Sequence, residues 1–295
     1  MYPRGYGVSC SLISSRGCIY RCIYCGSSHF WEKIRFHSPH YVLKEIQFIL
    51  NKYKDVKDIF IFDDLFPVKK ERLKNIVELV EQEGINEKLS FKCQANTDLI
   101  DEEILSLLKR MNMHYIGFGL ESGSQKILNV IKRRTASVRK NSIILQMCYK
   151  RGIKVGSGFM IGSPGEEEDD LRDTYKFILR HPLNSCNVYL TVPLPGTELW
   201  QIALKNRKVF LKMDWNKINQ FYLGDDLVNL STMADKRLLK WKKKIEDACV
   251  FSMIRANSKS KLLFLIRLLR FVLVHPRRFF IFVYGIYIII NSPKS

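Results

Sequence analysis

The sequence predicts an α/β protein built on a parallel sheet, and three observations lead there. Strand-like and helix-like segments alternate in order from about residue 9 to residue 200. The helical segments are long enough to act as crossovers between parallel strands. The alternation makes six strand–helix units, short of the eight of a closed TIM barrel.

Each element has its own signal. Residues 9–15 form a short apolar run. Residues 41–53 carry Val42, Ile46, Ile49 and Leu50 on one helical face. Residues 58–62 (Asp-Ile-Phe-Ile-Phe) read as a buried strand, and residues 71–82 return to helical spacing through Leu73, Ile76, Val77 and Val80. Residues 89–93 are a strand, followed by a helix over 101–109 opened by Asp101 as its cap. Residues 114–120 form the next strand, with helices over 124–131 and 139–151, the latter stopped by Gly152. A strand over 153–161, a helix over 166–180 and a strand over 185–192 complete the series.

The chain has 295 residues, 46% of them hydrophobic, enough for a sizeable core. Of its eight cysteines, Cys10, Cys93, Cys148, Cys186 and Cys249 are scattered, and the opening Met-Tyr-Pro-Arg-Gly-Tyr-Gly is no secretory signal. Reduced thiols are therefore expected, with the scattered five packing as small hydrophobes. The net charge of +19 is unevenly spread: from Lys236 to Ser295, fourteen Lys or Arg stand against Glu246 and Asp247, a net of 14 − 2 = +12. A basic tail suits an anionic partner such as membrane headgroups, nucleic acid or an acidic protein.

The remaining cysteines share one loop, Cys18-Ile-Tyr-Arg-Cys22-Ile-Tyr-Cys25, spaced C-x3-C-x2-C with no fourth cysteine nearby. A four-iron cluster takes four thiolates, so three would leave one iron open. An open metal position is where a protein binds a reacting ligand. A zinc site is the other reading, but zinc prefers two ligand pairs and no second pair exists. With Tyr24 before its last cysteine, the loop resembles that of the radical SAM superfamily, whose open iron chelates S-adenosylmethionine (SAM). The chain looks like the core domain of the subgroup associated with cobalamin, the anaerobic cyclases and methyltransferases. That resemblance covers about residues 9–208 and implies a partial (β/α)6 TIM-like barrel with the cysteine loop following the first strand.

The resemblance also assigns SAM contacts. Phe62-Asp63-Asp64-Leu65-Phe66 stands where other members have Gly-Gly-Glu, so Asp63 and Asp64 would meet the methionine ammonium; two adjacent carboxylates are not expected to face the core. A cap for the next helix is the local alternative. Gly117-Phe-Gly119-Leu-Glu121-Ser122 would lie against SAM. Lys132 would pair with the SAM carboxylate, or else be a solvated lysine at a helix end. Ile161 and Gly162, in a Gly-Ser-Pro-Gly turn before Glu166, and Val192, in Val-Pro-Leu-Pro-Gly-Thr, would border adenine, while Glu166 favours the start of its helix. Asn96 departs from the arginine common in relatives and would hydrogen-bond ribose or carboxylate without charge. The subgroup's Asp-x-His-x-x-Gly cobalamin signature is not in this sequence, which argues against cobalamin chemistry in this polypeptide.

Three regions are expected: a radical SAM core over 1–208, a linker and helical region over 209–258, and hydrophobic basic helices over 259–295. The run 279–290 has 12 residues, short of the ~20 that span a bilayer. These helices either lie in a membrane interface or pack on the barrel. The expected function is reductive cleavage of SAM at a 4Fe-4S cluster to a 5′-deoxyadenosyl radical acting on a small-molecule or lipid-linked substrate. A low-potential donor such as flavodoxin or ferredoxin would supply the electron. A cytoplasmic enzyme is expected, peripheral on the inner face of the membrane. Two other readings are an RNA-modifying radical enzyme, disfavoured because the charge lies in a greasy tail without a recognised RNA-binding module, and a non-catalytic iron–sulfur interaction protein.

Overall fold

A computed structural model describes residues 8–207, 227–258, 260–274 and 279–290. Residues 209–226 of the expected linker and helical region over 209–258, and residues 1–7, 208, 259, 275–278 and 291–295, lie outside them. The elements run β1 (Val8–Leu12), β2 (Ser15–Arg16), α1 (Ser27–Phe30), β3 (Arg35–Phe36), α2 (Pro39–Lys52), β4 (Val56–Ile61), α3 (Lys70–Gln82), α4 (Ile85–Lys88), β5 (Ser90–Ala95), α5 (Glu102–Arg110), β6 (Met113–Glu121), α6 (Gln125–Ile131), α7 (Val138–Lys150), β7 (Lys154–Ile161), α8 (Glu168–Arg180), β8 (Ser185–Leu190), α9 (Glu198–Lys205), α10 (Asp235–Ala256), α11 (Lys261–Val274) and α12 (Phe279–Ile290).

The six long strands form one sheet in the order β1-β4-β5-β6-β7-β8, with parallel pairing, so the fold is the expected α/β partial (β/α)6 barrel. The strands read as apolar runs because a parallel sheet flanked by helices is covered on both faces. The caps follow the sequence signals. Asp101 Oδ1 accepts from the Ile104 N–H at 2.7 Å, and Ser124 and Thr197 open α6 and α9 in the same way. The first apolar run is divided: β1 ends at Leu12, and Ser15–Arg16 pairs instead with Arg35–Phe36 as a separate two-stranded ribbon.

The chain divides into two compact units. One comprises residues 1–20, 27–118 and 143–155. Here Asp63 corrects the expectation that its carboxylate avoids the core, because only 3% of the residue is exposed. It accepts the N–H and hydroxyl of Ser14 at 2.6 Å each, and those of Ser15 at 3.0 and 2.6 Å. A carboxylate offers about four lone-pair sites, and all are filled. Beside it the buried Arg72 guanidinium donates to the carbonyls of Ser14 and His37 at 2.9 and 3.0 Å. Burial pushes the Arg72 guanidinium below its ordinary pKa, and the Asp63 charge opposes that shift. Neither Asp63 nor Asp64 caps the next helix: α3 is preceded by Lys69, with no side-chain cap.

The other unit comprises residues 21–26, 119–142 and 156–295. Its 162–166 turn is tied to the 229–232 segment through Leu230 N–H to the Gly162 carbonyl (3.1 Å) and Thr232 N–H to the Glu166 carbonyl (3.0 Å). Glu166 does not begin α8. Its fully buried carboxylate folds back to accept the N–H groups of Gly162 (2.6 Å) and Ser163 (3.2 Å). The helix start falls to Asp170, which accepts the Glu167 N–H at 2.9 Å. Burial pushes the Glu166 carboxyl up to about 8, against the two backbone donors. In the same unit α12 packs inward, with Gly285 against the Phe251 ring of α10 and Tyr284 stacked on Tyr175 of α8 at 6.0 Å. No described helix is long and apolar enough to cross a membrane.

Asp63→Ala strands four donors and a buried cation, so a loss of about 3–5 kcal/mol is expected in chemical denaturation; a loss under about 1 kcal/mol would contradict the account. For Glu166 the sign is fixed by the raised pKa. The folded state holds a proton that the unfolded state releases from about 4.5 upward, so stability is full below pH 4.5 and falls as pH rises through about 8. Melting temperature measured from pH 5 to 8.5 should fall more steeply for the natural protein than for Glu166→Gln, whose amide oxygen still accepts both N–H groups. Equal slopes would show that Glu166 is ionised throughout.

Candidate cofactor site

The cysteine loop is held at both ends, and each unit contributes separately. In the first unit, Gly17 precedes Cys18 with a φ of 96° that L residues rarely adopt. A Cβ there would also crowd the Lys33 carbonyl at 3.1 Å. The Gly17 N–H donates to Asp64 Oδ2 at 3.1 Å, and the Ser27 hydroxyl to Asp64 Oδ1 at 2.9 Å. Asp63 grips the preceding Ser14 and Ser15. The two carboxylates therefore set the path of the backbone into Cys18. Beyond it, the Tyr20 N–H points at the Cys18 sulfur (3.4 Å), and the Tyr20 hydroxyl donates to Asp98 at 3.0 Å. Asn96 is buried, and its side-chain oxygen accepts the Asp98 N–H at 3.1 Å, closing the turn that carries Asp98.

In the second unit, Ile23 is the anchor. Its N–H donates to the Ile131 carbonyl (3.0 Å), and its carbonyl accepts the Leu199 N–H (2.9 Å). Its side chain is buried with Ile127, Ile131, Leu199 and Trp200. The Cys25 N–H bonds to the Cys22 carbonyl at 3.1 Å, a tight turn that holds these two cysteines close along the chain.

Next to them lies a small polar cluster. The Tyr24 hydroxyl donates to Glu121 Oε1 at 2.9 Å. Glu121 sits at the end of β6 with a φ of 62°, a strained backbone for a residue with a Cβ. Lys132 is buried, so it is no solvated helix-end lysine, and its ammonium donates to the Gly119 carbonyl. A Cβ at Gly119 would lie 2.6 Å from the Glu121 carboxylate, so a larger residue here would displace that side chain. In the sequence Gly119 is one member of a motif, and no local signal marks its partner.

The electrostatics bind these groups together. Burial raises the Glu121 carboxyl above its usual range, while Lys132 and the Tyr24 hydroxyl lower it. Burial raises the Tyr24 phenol strongly, helped by the Glu121 charge. Burial also raises the Cys22 thiol, opposed first by the Lys132 charge. The Lys132 charge is thus the main influence that favours a Cys22 thiolate.

The other expected contacts differ in what they have free. The buried Ser122 hydroxyl is taken by Thr174 (3.1 Å) and the Ser124 N–H (3.1 Å). Ile161 is fully buried in the sheet, and both backbone polar groups of Gly162 are bonded internally. Val192 stays half-buried. Cys18 and Cys25 are half-buried and Cys22 is buried, and none of the three is in a disulfide. Among the described residues no three His, Cys, Asp or Glu side chains converge tightly enough to hold a single ion. A cube of four irons spreads its thiolates wider than one ion does, so this donor set of three soft thiols suits a cluster better than zinc.

The family model for the radical SAM superfamily matches residues 12–178. An uncharacterized methyltransferase of Pyrococcus horikoshii is 27% identical over 230 residues, covering 78% of this chain and 48% of that protein. The anaerobic magnesium-protoporphyrin IX monomethyl ester cyclase of Rubrivivax gelatinosus is 27% identical over 213 residues, covering 70% of this chain and 36% of the relative. The chain therefore spans half or less of the length of these relatives. Among solved structures, the cobalamin-dependent S-adenosylmethionine radical enzyme OxsB, with aqua-cobalamin and SAM bound, is similar in fold. It gives a TM-score of 0.62 at 17% identity, over 90% of this chain and 50% of that one. The matched span takes in more than half of the sequence and contains the whole cysteine loop, and on that ground the chain belongs to the radical SAM superfamily, whose members include its cobalamin-associated relatives.

Proposed function

We propose that Cys18, Cys22 and Cys25 hold a 4Fe-4S cluster whose open iron takes SAM, and that the protein uses SAM to start radical chemistry on a substrate C–H bond. The observation that carries this reading is the three-thiol loop, with Glu121 and Lys132 acting electrostatically on Cys22. When bound, the cluster supplies the electron that splits SAM into methionine and a 5′-deoxyadenosyl radical. Everything else falls to the chain: it binds, orients and keeps out competing reactants.

The residues divide by what they have free. Asp63 has no acceptor site left and serves as a positioning group, so of the pair it is the exposed Asp64 that would meet the methionine ammonium. Glu121 would accept a hydrogen bond from SAM, its carboxylate already oriented by Tyr24. Lys132 would offset the negative charge of the thiolates and the SAM carboxylate. Asn96 would contribute its amide to ribose or carboxylate. Ser122 would hold the strand end in place. Ile161, Gly162 and Val192 would border adenine, Val192 with the most exposed surface. The substrate is small or lipid-linked, the electron comes from a flavodoxin- or ferredoxin-type donor, and the enzyme works in the cytoplasm on the inner face of the membrane.

Anaerobic reconstitution should load about four irons on the natural protein and almost none on a triple Cys→Ala variant of residues 18, 22 and 25; retained iron would refute the ligand assignment. Chromatography of the reduced, reconstituted protein should reveal 5′-deoxyadenosine. A full, reducible cluster that never cleaves SAM with substrate present would favour the non-catalytic reading. Glu121→Ala should weaken SAM binding about 10- to 100-fold, as expected for a lost charged hydrogen bond, while iron content stays near that of the natural protein. Loss of iron with unchanged SAM affinity would make Glu121 structural.

A further inference from the structure

The two apolar C-terminal helices have different surroundings. α12 packs on one side, where Ile288 is buried, Gly285 sits on Phe251 and Tyr284 stacks on Tyr175, while Val283, Tyr284 and Tyr287 keep exposed surface. α11 faces the body on one side only, through the buried Leu268 and through Phe264, whose ring meets Phe251 edge-on at 5.8 Å. Its opposite face carries Leu262, Leu265, Ile266, Leu269 and Leu273 at spacings of three, four, seven and eleven residues from the first, a single helical stripe. All five are exposed, Leu269 at 62% and Leu273 at 79%. An ordinary soluble helix turns such a stripe inward, so a continuous outward stripe of branched aliphatics marks a surface made to be covered.

The charge around the stripe specifies what covers it. From Ser258 to Ser295 there are seven Lys or Arg and no Asp or Glu. Arg267 and Arg270 are exposed on the flank of α11. They border a groove of about 560 Å³ whose other lining includes the apolar side chains of Val250, Ile254, Phe271 and Val274. Guanidinium groups beside an apolar trough suit a phosphate with an acyl chain, and the groove and stripe share one helix. Exposed Tyr287 on α12 adds an amphipathic ring of the kind favoured at a headgroup layer.

We propose that α11 is a membrane-docking helix: its Leu/Ile stripe enters the interfacial layer of an anionic bilayer, and Arg267 and Arg270 hold lipid phosphates at the rim. α11 is fixed to the enzyme through α10, by Phe264 against Phe251, while α12 packs against α8 and α10. This builds on the inner-face location proposed above and is independent of the SAM chemistry.

The test is flotation of the reconstituted 295-residue chain with vesicles of phosphatidylglycerol and phosphatidylcholine, against vesicles of phosphatidylcholine alone. Binding should be at least tenfold tighter to the anionic vesicles, and it should weaken in high salt without disappearing. Leu265→Glu/Leu269→Glu alters only exposed side chains and should abolish flotation, with circular dichroism, iron content and SAM cleavage in solution unchanged. Arg267→Gln/Arg270→Gln should lose the preference for anionic vesicles. Absence of flotation of the natural protein, or unchanged flotation of the leucine double variant, would overturn the proposal. A dimer in sedimentation that the leucine variant dissociates would also overturn it, making the stripe a self-interface. If SAM cleavage fails while flotation succeeds, the fault lies with the proposed chemistry and not with the docking helix.

Discussion

A loop that offers three thiolates and leaves a metal position open cannot be stiffened by a fourth ligand. The chain must hold it by other means, and buried hydrogen bonds do so here. Asp63 takes four donors from Ser14 and Ser15, with Arg72 as a buried counter-charge. Moving that carboxylate would leave donors unpaired in a low-dielectric interior, where each unpaired group costs about 1–3 kcal/mol. Downstream, Ile23 binds through its N–H and its carbonyl while its side chain is buried in the core. The first unit thus fixes the entry to Cys18, and the second fixes the turn from Cys22 to Cys25.

The same economy governs Glu121. Its left-handed backbone, the close approach of Gly119, and its electrostatic coupling to Tyr24, Lys132 and Cys22 form one arrangement. Strain at a residue with a Cβ persists only where its surroundings hold it. The hydrogen bond from Tyr24 and the charge of Lys132 hold it in this case. A carboxylate so restrained is oriented before any ligand arrives, and that lowers the ordering cost of binding.

Much of this was legible in the sequence. The alternation of elements followed from hydrophobic periodicity, the cap at Asp101 from local chemistry, and the cysteine loop from spacing alone. The partners of buried charges were not legible. Asp63 reads as a surface carboxylate because its donors lie 48 and 49 residues earlier in the chain. Glu166 reads as a helix-start residue because nothing local predicts that its carboxylate will fold back onto Gly162. Lys132 looked equally like a ligand or a solvated end until its burial was seen. The fates of α11 and α12 were also hidden. Both are mainly apolar, α11 interrupted by Arg267 and Arg270, and periodicity does not tell which of their faces stay exposed.

The central claim is that three cysteines leave one iron open for SAM, and electron paramagnetic resonance of the reduced, reconstituted protein tests it most directly. The account predicts a reduced-cluster signal whose g-values shift when SAM is added, because the ligand enters the coordination sphere of one iron. It also predicts that the shift weakens in Glu121→Ala at the same SAM concentration. A full cluster signal that SAM leaves unchanged at saturating concentration would mean that the fourth iron is closed, and would contradict the account.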